Sequence, residues 1–147
     1  MPSIMKDLNT VSRCMALYRA EQLPNEGLKA KHHSFVFVIC ATPGLSQDQI
    51  ARRLCLNKST VARSLDQLEA LGLITRVPSA SDKRVTQIYP TNAMLELYPK
   101  IREIAKTWNE GITVDCTARE LEIFLSVLNR ITRRARILTG QEGADPQ

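Results

Sequence analysis

Two short helices with strong caps, a tight turn between them and two short strands around a polar loop predict a mainly α fold with a small antiparallel β wing, a winged helix-turn-helix. Three flanking stretches, one before this block and two after it, carry apolar residues at helical spacing. They predict amphipathic helices that bury best against a second copy of the chain, so the expected assembly is a dimer.

The first stretch places Ile4, Leu8, Val11, Met15 and Tyr18 at spacings of four, three, four and three, one face of a helix. Pro24, Asn25 and Gly27 end it. In Lys29 to Thr42, the run from Phe35 to Ile39 has strand propensity. Its place before the capped pair makes it a helix, which ends by Thr42 because the residue before Pro43 is pushed out of helical geometry.

Ser46-Gln47-Asp48-Gln49 is a capping box and opens a short helix that buries Ile50, Ala51 and Leu54. Cys55 and Leu56 make the tight connection. Asn57 caps the next helix, which buries Val61, Leu65 and Leu68. Gly72 stands where a helix-ending glycine belongs, and Leu73 follows as its hydrophobic contact. Ile74 to Val77 and Val85 to Tyr89 pair as strands around the loop Pro78 to Arg84.

Met94, Leu97, Ile101, Ile104 and Trp108 then mark a helix that kinks or restarts at Pro99. Thr117-Ala118-Arg119-Glu120 is a second capping box, opening a helix with Leu121, Phe124, Leu128, Ile131, Ala135 and Leu138 on one side. The expected division is dimerisation helices in 1–27 and 92–138, a DNA-binding lobe in 28–91 and a flexible tail in 139–147.

With Val61, Leu65 and Leu68 inward, the second helix of the pair turns Lys58, Ser59, Thr60, Arg63, Ser64 and Gln67 to solvent. The first four lie near its N-terminus, the part of a recognition helix that meets base edges and carries the positive end of the helix dipole. The acids Asp66 and Glu69 come later. A formal net charge of +5 suits a polyanionic partner without requiring one.

From Ser46 to Thr91 the chain resembles the MarR family of transcriptional regulators, on the run LSQDQIARRLCLNKSTVARSLDQLEALGLITRVPSASDKR. Asp82-Lys83-Arg84 matches the family's Asp-x-Arg wing motif. The resemblance implies that Arg84 enters the minor groove with Asp82 fixing its rotamer. It also implies that Thr60 and Arg63 reach bases and that Lys58 and Ser59 meet phosphate or bases. A narrow groove concentrates negative potential, and a preorganised arginine loses less entropy on entering it.

The family continues Leu-Thr-x-x-Gly after the wing. Here Tyr89-Pro90-Thr91-Asn92-Ala93 stands instead, with Thr91 keeping the polar helix start. The resemblance further implies a homodimer on an inverted-repeat operator in double-stranded DNA. It implies a repressor, released by a small aromatic or phenolic ligand.

The remaining features are read more plainly. Arg52 and Arg53 are phosphate or solvent contacts, and Arg130, Arg133, Arg134 and Arg136 form a solvated face with stems along the dimer seam. His32 and His33 are adjacent, about 100° apart on a helix, and lack the i, i+4 spacing of two zinc ligands; one of them lining a ligand pocket is the alternative.

Cys14, Cys40, Cys55 and Cys116 form no CxxC motif and are expected as free thiols, Cys40 and Cys55 in the core. Cys14, beside Arg13, is the one candidate for redox sensing, and a thiol-sensing regulator is an alternative function. The other rival is a winged helix that binds protein and not DNA, against which the basic set Lys58, Arg63, Lys83 and Arg84 argues.

No nucleophile-base constellation, phosphate loop or metal cluster points to an enzyme, a cofactor or a metal. The longest apolar run, Phe35 to Ala41, is far short of the ~20 residues of a membrane span. A cytoplasmic protein without membrane contact is expected.

Overall fold

The computed structural model describes residues 3–23 and 27–143. Its elements run α1 (Ile4–Gln22), α2 (His32–Ala41), β1 (Leu45–Ser46), α3 (Gln47–Leu54), α4 (Lys58–Ala70), β2 (Ile74–Pro78), β3 (Thr86–Pro90), α5 (Asn92–Ile112) and α6 (Ala118–Leu138). The fold class is the expected one. Part of the break after α1, at Pro24 and Asn25, lies outside the described residues, as does the end of the expected tail, 144–147.

The caps fall where the sequence puts them. Ser46 and Gln49 form a reciprocal capping box on α3, as do Thr117 and Glu120 on α6. The Asn57 side chain accepts from the Thr60 N–H at the start of α4. At its end Gly72 has φ of 71°, the Gly72 N–H reaches the Glu69 carbonyl and the Leu73 N–H reaches that of Leu68. Leu73 is thereby turned back into the core.

The turn between α3 and α4 has a less usual residue at its pivot. Cys55 takes the left-handed conformation, with φ of 53°. Its N–H reaches the carbonyls of Ala51 and Arg52. It is exposed, which corrects the expectation of a core thiol: a residue at this helix end points its side chain away from the lobe. Cys40 is half-buried, and burial pushes its thiol pKa up.

Two further corrections concern elements. Leu45 and Ser46 form a strand, giving a three-stranded antiparallel sheet of order β1-β3-β2, with Ile88 of β3 facing Leu45 on one side and Arg76 on the other. Two residues before a capping box carry no alternation, so periodicity could not announce them. Helix α5 runs through Pro99 as one element, without the restart expected there. Pro99 is the eighth residue of the helix, so the Leu95 carbonyl loses its i+4 donor while the rest of the helix carries on past it.

The core of the lobe is built from Phe35, Val36 and Ile39 of α2, Ile50 of α3, Val61, Leu65 and Leu68 of α4, Ile88 of β3 and Met94, Leu97 and Ile101 of α5. Each large side chain contributes roughly 1.5–3 kcal/mol by burial. The same core receives α2, which explains why its strand-like residues form a helix: nearly every side is covered. Thr91 fastens α5 to the lobe, its hydroxyl accepting from the Met94 N–H and donating to the Gly72 carbonyl at 2.7 Å. The family's glycine is not needed for that entry.

Outside the lobe the chain is short of partners. No residue of α6 is buried, and none of α1. Tyr18 of α1 stacks on Trp108 of α5 with ring centroids 5.3 Å apart. Ile123, Phe124, Leu125, Val127, Ile131 and Leu138 of α6 remain exposed. No described helix is long and apolar enough to cross a membrane.

Candidate nucleic-acid interface

Helix α4 presents its first turn to solvent because Asn57 stops the chain in extended geometry immediately before it. The Asn57 carboxamide oxygen accepts from the Thr60 N–H at 2.8 Å and from the Ser59 hydroxyl at 2.9 Å, so the cap also aims Ser59. Lys58 and Ser59 are exposed, Thr60 is half-buried and Arg63, one turn on, is exposed.

Lys58 is not alone. Its Nζ lies 3.1 Å from Asp48 Oδ2 at the start of α3, with both side chains largely exposed. Such a pair is worth little in water, so a phosphate can take the ammonium from it.

Two residues expected on the outer face point inward. Ser64 is fully buried, its hydroxyl without a hydrogen-bond partner among the described residues. Gln67 is half-buried, its Oε1 accepting from His32 Nε2 at 2.9 Å. His32 Nδ1 accepts from the Lys29 N–H, which leaves the proton on Nε2. The reason lies in the spacing: Val61, Ser64, Leu65 and Leu68 complete one i, i+3, i+4, i+7 stripe, and Ser64 sits in its middle. Taking the three apolar residues as the whole inward face hid this.

Both histidines are buried, at 1% exposure each. Burial lowers the His32 pKa against the opposing Gln67 bond. Burial, then the Arg19 guanidinium and His32, bring that of His33 down to about 4. Both are interior residues, and His32 joins α2 to α4 through Gln67. No group of three His, Cys, Asp or Glu among the described residues could hold a metal.

The wing is tightly specified. The Ser79 N–H donates to the Val85 carbonyl at 2.8 Å and closes the loop; the Val85 N–H donates to the Asp82 carbonyl at 2.9 Å. Within it Asp82 accepts from the Arg84 N–H, from Arg84 Nε at 3.1 Å and from Arg84 Nη2 at 3.1 Å. These bonds, side chain first and backbone second, hold the Asp82 carboxyl below its usual range. Arg84 is 90% exposed even so, and Lys83 beside it is exposed. The arginine is thus oriented at both ends of its side chain and still open to a ligand.

Arg76 of β2 was not singled out by sequence. It bonds Asp66 at 2.7 Å and Glu69 at 3.2 Å, bracketing the wing onto α4 and occupying two acids of that helix. Of the basic pair on α3, Arg52 is exposed, whereas Arg53 departs from the expected phosphate or solvent role: its Nη1 donates to the Thr42 hydroxyl at 2.8 Å, tying α3 to the end of α2. Cys14 is exposed on α1.

Residues 26–85 match the sequence model of the MarR family. Along most of its length the chain is similar to YybA, an uncharacterized HTH-type transcriptional regulator of Bacillus subtilis (strain 168). The two are 22% identical over 133 residues, 90% of this chain and 89% of YybA. The fold is that of a SlyA-like transcription regulator from Listeria monocytogenes, with a TM-score of 0.91 and 20% identity over 100% of this chain and 99% of that one. It is also that of a MarR family transcriptional regulator from the same organism, solved with a 26mer DNA, with a TM-score of 0.88 and 20% identity over 100% and 99% of the two chains. The matched segment contains the capped helix pair, β2 and the wing loop as far as Val85, and the fold is that of these MarR-type regulators.

Proposed function

We propose that this chain is a MarR-family regulator and that it binds double-stranded DNA as a homodimer, one recognition helix and one wing to each half of an inverted repeat. The observation that carries the reading is the exposed cationic set, Lys58 and Arg63 on α4 and Lys83 and Arg84 on the wing, with Arg84 oriented by Asp82. The first turn of α4 offers its unpaired N–H groups and its dipole to the major groove. Arg84 is held at the reach of a neighbouring minor groove. A relative of the same fold solved with a 26mer DNA supports this use of the scaffold.

The dimer reading is supported by the apolar residues of α1 and α6, which a single chain leaves open. Occupying an operator of that size blocks an overlapping promoter, so repression is the proposed output. A small aromatic or phenolic anion is the proposed releasing ligand.

Fluorescence anisotropy on a random and an A·T-rich duplex tests DNA binding directly. Expected is binding that weakens steeply with salt as several phosphates release counterions. No binding to any duplex at low salt would replace this reading with the protein-binding winged helix.

A further inference from the structure

The basic run on α6 contains one residue that leaves the solvent. Arg130, Arg133 and Arg134 are exposed, whereas Arg136 is half-buried and reaches back across the fold. Its Nη1 donates to the backbone carbonyl of Arg52 at 3.4 Å and its Nη2 to that of Arg53 at 3.1 Å. The two acceptors are consecutive residues in the last turn of α3, at the negative end of its dipole, where the Arg52 carbonyl also takes the Cys55 N–H at 3.3 Å. Arg136 Nε is buried and has no hydrogen-bond partner among the described residues. The Nε edge of the guanidinium is thus covered while its two Nη atoms grip α3.

The grip joins parts that little else joins. No residue of α6 is buried in the chain. The lobe, by contrast, is rigid around the gripped end: Arg53 is itself fixed to Thr42, the Cys55 N–H closes onto Ala51 and Arg52, and Asn57 begins α4 immediately afterwards. Whatever holds the end of α3 holds the start of the recognition helix. The lobe is joined to α5 by Thr91 and by the buried Met94, Leu97 and Ile101, whereas α6, with no buried residue, reaches it through Arg136. Losing that contact frees α6 and the end of α3 to move against each other.

We propose that Arg136 is a positioning residue, a clamp between α6 and the end of α3 that fixes where each recognition helix stands and so sets the half-site spacing that the dimer accepts. This rests on the DNA-binding dimer proposed above. An arginine suits the task because its planar fork meets two adjacent carbonyls at once, which a lysine ammonium on a flexible stem does not reproduce.

Two measurements on the full chain test the clamp. In the first, wild type, Arg136→Ala and Arg136→Lys are titrated against an operator, against operators whose half-sites are moved apart one base pair at a time, and against one half-site. The alanine variant is expected to lose about tenfold on the correctly spaced operator, a typical coupling between sites. It keeps its half-site affinity and tolerates shifted spacings, with the lysine variant between. Equal losses on operator and half-site, or an unchanged spacing profile, overturn the proposal.

The second needs no DNA. Spin labels at Ala70→Cys and Arg133→Cys, in a chain with its own cysteines replaced by serine and diluted with unlabelled subunits, report the distance from α4 to α6. A narrow distribution that broadens in Arg136→Ala is expected. Equal widths overturn the clamp; a clamp seen here in a chain that binds no DNA leaves only the DNA reading to fail.

Discussion

Arg84 and Asp82 form a two-pronged ion pair within three residues of loop, Nε on Oδ1 and Nη2 on Oδ2, each at 3.1 Å, with the Arg84 N–H bonded to the same carboxylate. An exposed pair of this kind adds little to stability. Its use is to hold a long cation in one rotamer. Asp82→Ala is therefore expected to weaken DNA binding, although it removes a negative charge from the interface. Arg84→Ala is expected to weaken it further, chiefly on A·T-rich flanks. Both variants should melt like the wild type. Wild-type affinity in Asp82→Ala, measured by anisotropy, would show that the wing needs no orientation.

Helix α4 makes opposite predictions for adjacent residues. Arg63→Ala is expected to cost roughly 1–3 kcal/mol of binding and relax preference at one base pair, as for loss of a two-pronged base contact. Ser64→Ala should leave DNA affinity alone. It should raise thermal stability by about 1 kcal/mol, because it removes a buried hydroxyl without a partner and improves helix propensity. A drop in stability on Ser64→Ala would mean that the hydroxyl has an acceptor in solution.

The inward turn of Ser64 and Gln67 shows what the sequence discloses and what it hides. Caps are local chemistry, and Ser46, Asn57, Gly72, Thr91 and Thr117 all stand where their residue types put them. The wing pair was legible by another route, the resemblance of Asp82-Lys83-Arg84 to the family's wing motif, and the two residues do bond. Polar residues inside an apolar stripe are harder, since hydroxyl and amide look like surface until the stripe is drawn through them. Long-range contacts have no local mark at all. Arg136 lies 84 residues from Arg52, and its neighbours are ordinary exposed arginines.

The buried histidines predict acid sensitivity. His33 titrates near 6.5 when unfolded and near 4 in the fold, held down first by burial. Between those values the unfolded chain binds the extra proton. Stability is therefore complete above about pH 6.5 and falls as pH drops toward 4, by about 1.4 kcal/mol per pH unit for one fully linked group. His32, lowered in the same direction, adds to the loss. The thermal midpoint should decline from pH 7 to pH 5 in wild type and less steeply in His33→Leu. A flat midpoint over that range in wild type contradicts the placement of these rings.

The apolar side of α6 predicts a mass. Phe124 is 54% exposed in the single chain, so Phe124→Glu leaves the chain's own core intact. Wild type should elute as a dimer, with an interface of roughly 2,000–5,000 Å² as obligate pairs have. Phe124→Glu and Leu128→Glu should elute as monomers or unfold, and lose the operator with the dimer. Light scattering behind a sizing column reads this. A monodisperse wild-type monomer would remove the role given to the flanking helices.

The central claim is a two-fold reader of DNA, and selection of binding sites from a random duplex pool by the purified full chain tests it most directly. The selected sites should converge on an inverted repeat with half-site centres about 10 bp apart, each duplex carrying one dimer by mass. Convergence on a single asymmetric half-site bound by one chain, or no convergence at all, would contradict it.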